Sequence, residues 1–66
     1  MIIVNGKPAE GAGSTITDLL GALDVPAGGR GVAVAVDAEV VPRGEWPTHV
    51  IEDGAQVEVV TAVQGG

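Results

Sequence analysis

Few side chains in this sequence could perform catalysis, because the reactive residue types are scarce. Cysteine is absent and His49 is the single histidine, which excludes a thiolate nucleophile, a cysteine zinc site and a site with several histidine ligands. An activated hydroxyl needs a neighbouring base and a group that orients this base. No such set is recognisable, and we predict a surface or boundary position for His49. The hydroxyl side chains are Ser14, Thr15, Thr17, Thr48 and Thr61.

Two pairs of carboxylates lie close together in the sequence and could in principle perform acid–base chemistry. They are Asp37 with Glu39, and Glu52 with Asp53. Both pairs flank predicted turns, where acidic residues are common for conformational reasons. We therefore expect them to serve the fold.

A glycine-rich loop and an Arg–Trp pair are two further candidates. Residues 11–13 read Gly-Ala-Gly before a predicted helix, but they lack the lysine and the spacing of a phosphate-binding loop. We read this loop as a connection. Arg43 is near Trp46 in the sequence, and we expect Trp46 to cap the core with Arg43 paired to an acid. Direct contact with a partner protein is the alternative.

The end of the sequence offers the most distinctive chemistry. Residues 62–66 carry no charged side chain and finish with Gly65 and Gly66. Glycine has no Cβ, so this end can enter a narrow channel and adopt any backbone conformation there. Its carboxylate, with a reference pKa of ~3.5, is ionised at neutral pH. It could attack the α-phosphate of ATP if an enzyme supplied Mg²⁺ and positioning. A frayed terminus is the simpler alternative.

Length and charge restrict the possible partners. A chain of 66 residues buries only ~60% of its unfolded surface and forms a single small domain. The net charge of −6 argues against nucleic acid and favours a partner with a basic surface. The longest apolar run, residues 32–36, is too short to span a membrane, and no signal peptide is recognisable. We expect a cytoplasmic location and no contact with membranes.

The first half of the chain predicts a hairpin followed by a helix. Residues 1–4 are apolar, and Asn5-Gly6 after them is typical of a two-residue hairpin turn. A second strand over residues 7–10 contains Pro8, which favours an edge position. Apolar residues then recur at helical spacing, at Ile16, Leu19, Leu20 and Leu23. Thr15 and Asp18 before and within this segment resemble a capping box.

The second half predicts three strands. Residues 32–36 alternate Val and Ala, and we place the valines against the helix and the alanines on the outer face. A turn at Asp37-Ala38 leads to a short return strand over residues 39–41. Residues 43–51 look irregular, and a turn at Asp53-Gly54 precedes the last strand, residues 57–61.

This order predicts an α+β fold, a mixed sheet of about five strands with one main helix packed on one face. The first and last strands should lie side by side and parallel in the centre, by the precedent of the β-grasp fold. We expect a domain over residues 1–61 and a flexible tail over residues 62–66. The predicted core comprises Ile2, Val4, Ile16, Leu19, Leu20, Leu23, Val32, Val34, Val36, Val57 and Val59.

Several stretches together resemble one family. They are residues 4–6, the helix, residues 32–36, residues 39–43 with Glu45-Trp46, Asp53-Gly54, and residues 57–66 up to the Val-Gln-Gly-Gly end. The chain resembles the sulfur-carrier proteins of thiamin (thiazole) biosynthesis, the ThiS group of ubiquitin-like β-grasp proteins. Asp37-Ala38 departs from the expected Asn-Gly type pair and leaves the turn type open.

The resemblance implies a protein substrate and not an enzyme. An E1-like adenylating enzyme of the ThiF type would use ATP and Mg²⁺ to adenylate the carboxylate of Gly66. A sulfur donor such as a cysteine desulfurase system would convert the adenylate to a thiocarboxylate, and a ThiG-type thiazole synthase would take the sulfur. The residues implied to enter the partners' active sites are Gly65, Gln64, Val63 and Ala62. The chain itself would bind no cofactor and no metal.

Three other functions remain open from the sequence. A carrier for molybdopterin synthesis would use the same chemistry, although such chains are typically longer and end differently. A ubiquitin-like modifier would instead join Gly66 to a lysine amine. An interaction domain would pair through its sheet edge and have an inert tail.

Overall fold

The computed structural model describes residues 1–25 and 31–61. Within them a five-stranded mixed sheet carries one α-helix, which confirms the predicted α+β β-grasp class. The elements are β1 (Ile2–Val4), β2 (Lys7–Ala9), α1 (Ile16–Ala22), β3 (Val32–Val36), β4 (Glu39–Val40), a 3₁₀ helix (Arg43–Glu45) and β5 (Gln56–Thr61).

Strand β5 lies at the centre of the sheet, whose order is β2-β1-β5-β3-β4. It runs parallel to β1, where Val4 pairs with Val57, so the predicted parallel centre is confirmed. On its other side it pairs antiparallel with β3 along its last five residues, from Val36 with Val57 to Val32 with Thr61. The strand that leads to the end of the chain is therefore anchored by two neighbours.

Both predicted two-residue turns form with left-handed backbone. Asn5 and Gly6 have φ of 51° and 83°, and Asp37 and Ala38 have φ of 50° and 71°. Positive φ at both central residues matches a type I′ turn, whose twist suits a hairpin. The turn at Asp37-Ala38 is therefore also of this type, although neither of its central residues is glycine. The first hairpin places β2 at the sheet edge, as Pro8 predicts.

Helix α1 begins with the predicted capping box but ends before the periodicity does. The Asp18 N–H donates to Thr15 Oγ1 at 3.2 Å, and the Thr15 N–H donates to the Asp18 carboxylate at 3.4 Å. The helix ends at Ala22, and Asp24 turns left-handed with φ of 59°. Leu23 consequently lies outside the core and is 40% exposed. Its predicted core position is wrong.

The core is closed by residues from the segment that the sequence leaves irregular. Trp46 is 2% exposed and its indole N–H donates to the Val41 carbonyl at 2.9 Å, which confirms that it caps the core. Val32, Val36 and Val59, predicted as core, are only partly buried and pack against it. The buried apolar residues are Ile2, Val4, Ile16, Leu19, Leu20, Val34, Val41, Trp46, Ile51, Ala55 and Val57.

Gly21 in the last turn of α1 offers a stabilising substitution. A Cβ added there would meet no atom within 4 Å, and Ala is favoured over Gly in a helix by ~0.5–1 kcal/mol. We expect Gly21→Ala to raise the free energy of unfolding by about this amount in urea denaturation. Gly11→Ala is the control, because its Cβ would lie 2.8 Å from Ile2 Cδ1, and it should destabilise. A destabilised Gly21→Ala would contradict the assigned helix surface.

Candidate functional site

The imidazole and hydroxyl candidates lie at structural positions. Thr15 caps α1, and Thr48 Oγ1 donates to the Glu45 carbonyl at 3.3 Å. His49 is half-buried, and its backbone accepts from the Ile16 N–H at 3.1 Å and donates to the Glu45 carbonyl at 2.8 Å. These contacts stabilise the fold, and none of them places a basic side chain beside a hydroxyl nucleophile.

The two carboxylate pairs also include residues with structural contacts. The Asp37 carboxylate accepts from the Gln56 N–H at 3.0 Å. The Asp53 carboxylate pairs with the amino group of Met1, and this hydrogen bond and the positive charge lower the pKa of Asp53. Among residues 1–25 and 31–61, no three His, Asp or Glu side chains are grouped to hold a metal ion.

Amides at the end of the Gly-Ala-Gly loop and at the start of the helix already have backbone partners. The Gly13 N–H donates to the Ile51 carbonyl at 2.8 Å, the Ser14 N–H to the Gly11 carbonyl at 3.0 Å, and the Ile16 N–H to the His49 carbonyl. An anion would have to displace these bonds, because one N–H makes one good hydrogen bond. The loop is a connection, as predicted.

Arg43 lies over Trp46, a contact that was not predicted from the sequence. The Arg43 guanidinium carbon is 5.6 Å from the centroid of the Trp46 ring, a distance that allows a cation–π interaction. Since the indole is buried against Val41, this pair stabilises the cover of the core.

The sheet face opposite α1 is the most distinctive surface of the described chain. Successive residues of β5 alternate, so that Val57 is buried while Val60 is 60% exposed. The strand register places Ala33 beside Val60, and Ala35 beside both Glu58 and Val40. The result is a mostly apolar surface that also carries the exposed side chains of Gln56 and Glu58. We call this surface the open face, defined by Ile3, Ala33, Ala35, Val40, Gln56, Glu58 and Val60.

Sequence reasoning placed the two alanines on this outer face but did not identify the surface. The alternation along β5 is the signal that could have found Val60, because residues of one parity must leave the core. Isolated exposed apolar residues are ordinary, whereas a contiguous apolar surface indicates a binding site.

The predicted reactive residues follow directly after this surface. Strand β5 ends at Thr61, where it pairs with Val32. The residues predicted to react or to enter a partner lie outside the described residues. They are Ala62, Val63, Gln64, Gly65 and Gly66.

Comparison with known protein families shows the family to which this chain belongs. The family described as the ThiS family matches residues 2–66. The chain belongs to the ThiS family. The resemblance noted from its sequence is confirmed, and with it the ubiquitin-like β-grasp fold and the role of sulfur carrier, which is not that of a catalyst.

Individual relatives agree with this membership. The sulfur carrier protein ThiS of Escherichia coli K12 is 36% identical over 55 residues, which cover 83% of this chain and 80% of that protein. The crystal structure of a thiamine biosynthesis protein (ThiS) from Geobacter metallireducens superposes with a TM-score of 0.78 at 34% identity, covering 98% and 97% of the two chains. Fold and family are therefore supported by sequence and by structure.

A third relative is a larger protein. A thiazole synthase of Paramagnetospirillum magneticum is 33% identical over 66 residues, which are 98% of this chain but 20% of that protein. A ThiS-like segment thus occurs within a polypeptide named for thiazole synthesis.

Within residues 1–25 and 31–61, no helix is long and apolar enough to cross a bilayer.

Proposed function

We propose that this chain carries sulfur to thiazole synthase in thiamin biosynthesis, as a thiocarboxylate at Gly66. The observation that carries the proposal is the placement of β5 in a member of the ThiS family. This strand is held on both sides and ends at Thr61, five residues before Gly66. With no cysteine in the sequence, the terminal carboxyl group is the place where reactive sulfur can be held.

The chemistry requires an adenylating enzyme of the ThiF type. A carboxylate oxygen of Gly66 attacks the α-phosphorus of ATP, pyrophosphate leaves, and an acyl adenylate remains. A sulfur nucleophile at the level of hydrosulfide then attacks the acyl carbon and displaces AMP, which leaves the thiocarboxylate. The partner supplies Mg²⁺ to neutralise the phosphate charge, and a cysteine desulfurase system is the proposed source of sulfur. The desulfurase carries this sulfur as a persulfide, so thiols must reduce it by two electrons to release hydrosulfide, and the thiols are oxidised to a disulfide. We propose the cytoplasm as the compartment, since ATP is available there.

The length and composition of the last residues suit this task. Five residues reach at most about 16–18 Å when extended. Gly65 and Gly66 have no Cβ and can pass through a channel that would exclude larger residues. The carboxylate can therefore react inside a partner's active site while the folded domain stays outside.

We propose that the open face is the surface on which the partners dock. It is apolar and adjoins the end of β5, so docking there would bring the last five residues to the partner's surface. The net charge of −6 would accelerate encounter with a basic surface. The fused arrangement in the Paramagnetospirillum magneticum protein supports a ThiG-type thiazole synthase as one of these partners.

Val60 provides the test of this docking surface. We expect Val60→Lys to raise KM for the chain in the adenylation reaction by about 10-fold or more, since burying an unpaired charge removes over ~1 kcal/mol of binding. Val50→Lys is the matched control. Val50 is 54% exposed, close to the 60% of Val60, but it lies outside the sheet beside Thr15. Equal effects of the two substitutions on KM would argue against the open face.

The biosynthetic pathway in which this protein acts is tested with different acceptor proteins. The thiocarboxylate form is incubated separately with a ThiG-type thiazole synthase and with a molybdopterin synthase subunit, and the unmodified chain is incubated with ATP, a ThiF-type enzyme and a lysine-rich acceptor protein. We expect sulfur transfer only to thiazole synthase, and mass spectrometry of the carrier measures this transfer as loss of the thiocarboxylate. Transfer to the molybdopterin enzyme, or an isopeptide with lysine, would replace thiamin biosynthesis by the corresponding alternative.

A further inference from the structure

Asn5 makes a two-point contact with β5 that continues the parallel ladder beyond the end of β1. Its Nδ2 group donates to the Val59 carbonyl at 3.2 Å, and its Oδ1 accepts from the Val59 N–H at 2.9 Å. The backbone N–H of Asn5 donates to the Val57 carbonyl at 2.9 Å. A carboxamide offers one donor group and one acceptor, as a peptide unit does. The side chain thus replaces the next residue of a strand that has already turned away.

The contact of Asn5 lies in the last part of β5. On one side of β5, pairing with β3 continues as far as Thr61. On the other side, the residue pairs with β1 end at Val57, and Asn5 alone extends the bonding to Val59. This contact is made two residues before the strand ends.

A similar contact exists at the opposite end of β5 and provides a comparison. The Asp37 N–H donates to the Gln56 carbonyl at 2.7 Å, and its carboxylate accepts from the Gln56 N–H at 3.0 Å. Asp37 and Asn5 have nearly equal φ, 50° and 51°. Both residues therefore hold the same strand, Asp37 at its start through its backbone N–H and its carboxylate, and Asn5 near its end through both ends of its carboxamide.

We propose that Asn5 is a positioning residue for the reaction at Gly66, because its carboxamide fixes the end of β5 from which residues 62–66 depart. This inference rests on the function proposed above. When the end of the strand is fixed, a larger fraction of the docked complexes holds the carboxylate in the productive geometry. Loss of the Asn5 contact would leave residues 60–61 held by β3 alone, so that this end of the strand would have to be ordered within the docked complex before the carboxylate reacts. Ordering even one residue corresponds to about 5–30-fold in an equilibrium constant.

The substitution that isolates the contact is Asn5→Gly, since glycine keeps the left-handed turn and removes only the side chain. Asp37→Gly is its control at the other end of β5, with nearly the same φ and a similar entropic cost; it removes the one side-chain hydrogen bond from Asp37 to Gln56, whereas Asn5→Gly removes two to Val59. The intact chains are compared in ATP–pyrophosphate exchange with a ThiF-type enzyme over a range of carrier concentrations. Hydrogen exchange of the Val60 and Thr61 amides is measured in parallel.

We expect both substitutions to lower stability, but only Asn5→Gly to lower kcat, by about 5–30-fold, with KM little changed. The Val60 and Thr61 amides should exchange faster in Asn5→Gly alone. If Asn5→Gly does not fold, Asn5→Asp serves instead, because it retains the acceptor for the Val59 N–H, and its kcat should fall less. An unchanged kcat in the folded variant, or an equal loss in Asp37→Gly, overturns the positioning role. If the wild-type chain supports no ATP–pyrophosphate exchange at all, the proposed function itself is wrong.

Discussion

Deleting Gly66 is expected to abolish adenylation while leaving the folded domain intact. The deletion moves the terminal carboxylate back by about 3.3–3.6 Å along an extended chain. A displacement of ~1 Å from the productive geometry can already lower a rate on the order of 100-fold. The fold should not change, because the elements of the described chain end at Thr61. The measurement is ATP–pyrophosphate exchange with a ThiF-type enzyme, with circular dichroism of each variant.

Gly65→Val gives a second view of the same end without changing its length. A β-branched side chain restricts φ and ψ and would obstruct a narrow channel, so we expect a loss of exchange nearly as large as that from the deletion. Gly44→Val is the control, since a Cβ at Gly44 meets no atom within 4 Å. Wild-type exchange by the Gly66 deletion would show that this carboxylate is not the reactive group.

Leu20→Ala is expected to cause the largest loss of stability among the substitutions considered. Leu20 is 0% exposed and belongs to the core beneath the sheet. Truncating a buried leucine costs about 2–5 kcal/mol, because apolar contacts are lost and a cavity remains. In a domain of this size such a loss is a large part of the total free energy of unfolding. Urea denaturation measures it directly.

Leu23→Ala is the internal control for this substitution, since Leu23 follows α1 and is 40% exposed. It should cost about 1 kcal/mol or less, within the range of partly exposed positions. Equal losses for the two leucines would mean that the face of α1 packed on the sheet is wrongly assigned.

The sequence predicted best those features that depend on neighbouring residues. The Asn5-Gly6 turn and the Thr15–Asp18 capping box are both formed by residues within a few positions of each other, and both are present. The helical periodicity, however, also placed Leu23 in the core, and this residue is exposed. The backbone turns left-handed at Asp24, and no residue pattern in the helix announces where that turn occurs.

The sequence predicted least well the buried apolar residues that lie outside the helix and the strands. Val41, Ile51 and Ala55 complete the core, but they lie in or beside turns and so follow neither a strand period nor a helix period. Their burial depends on the path of the chain around the sheet. That path is fixed by long-range contacts such as the bond from the Gly13 N–H to the Ile51 carbonyl.

The parts of the candidate site differ in the same way. The diglycine end is visible in the sequence because it depends only on composition and order. The open face requires strand register, since Ala33 and Val60 are adjacent only through the pairing of β3 with β5. The Asn5 contact joins residues 54 positions apart, and no local pattern indicates it.

The central claim is that Gly66 carries sulfur, and the intact mass of the protein tests it most directly. The full chain is purified without reductant or amine from cells that synthesise thiamin, and its mass is compared with that of the Gly66 deletion prepared in the same way. We predict a population whose mass is greater by the replacement of one oxygen atom with one sulfur atom, located by fragmentation to the last residue and absent from the deletion variant. A protein that carries only the unmodified carboxylate, under conditions in which an established ThiS protein from the same cells is charged, would contradict the account.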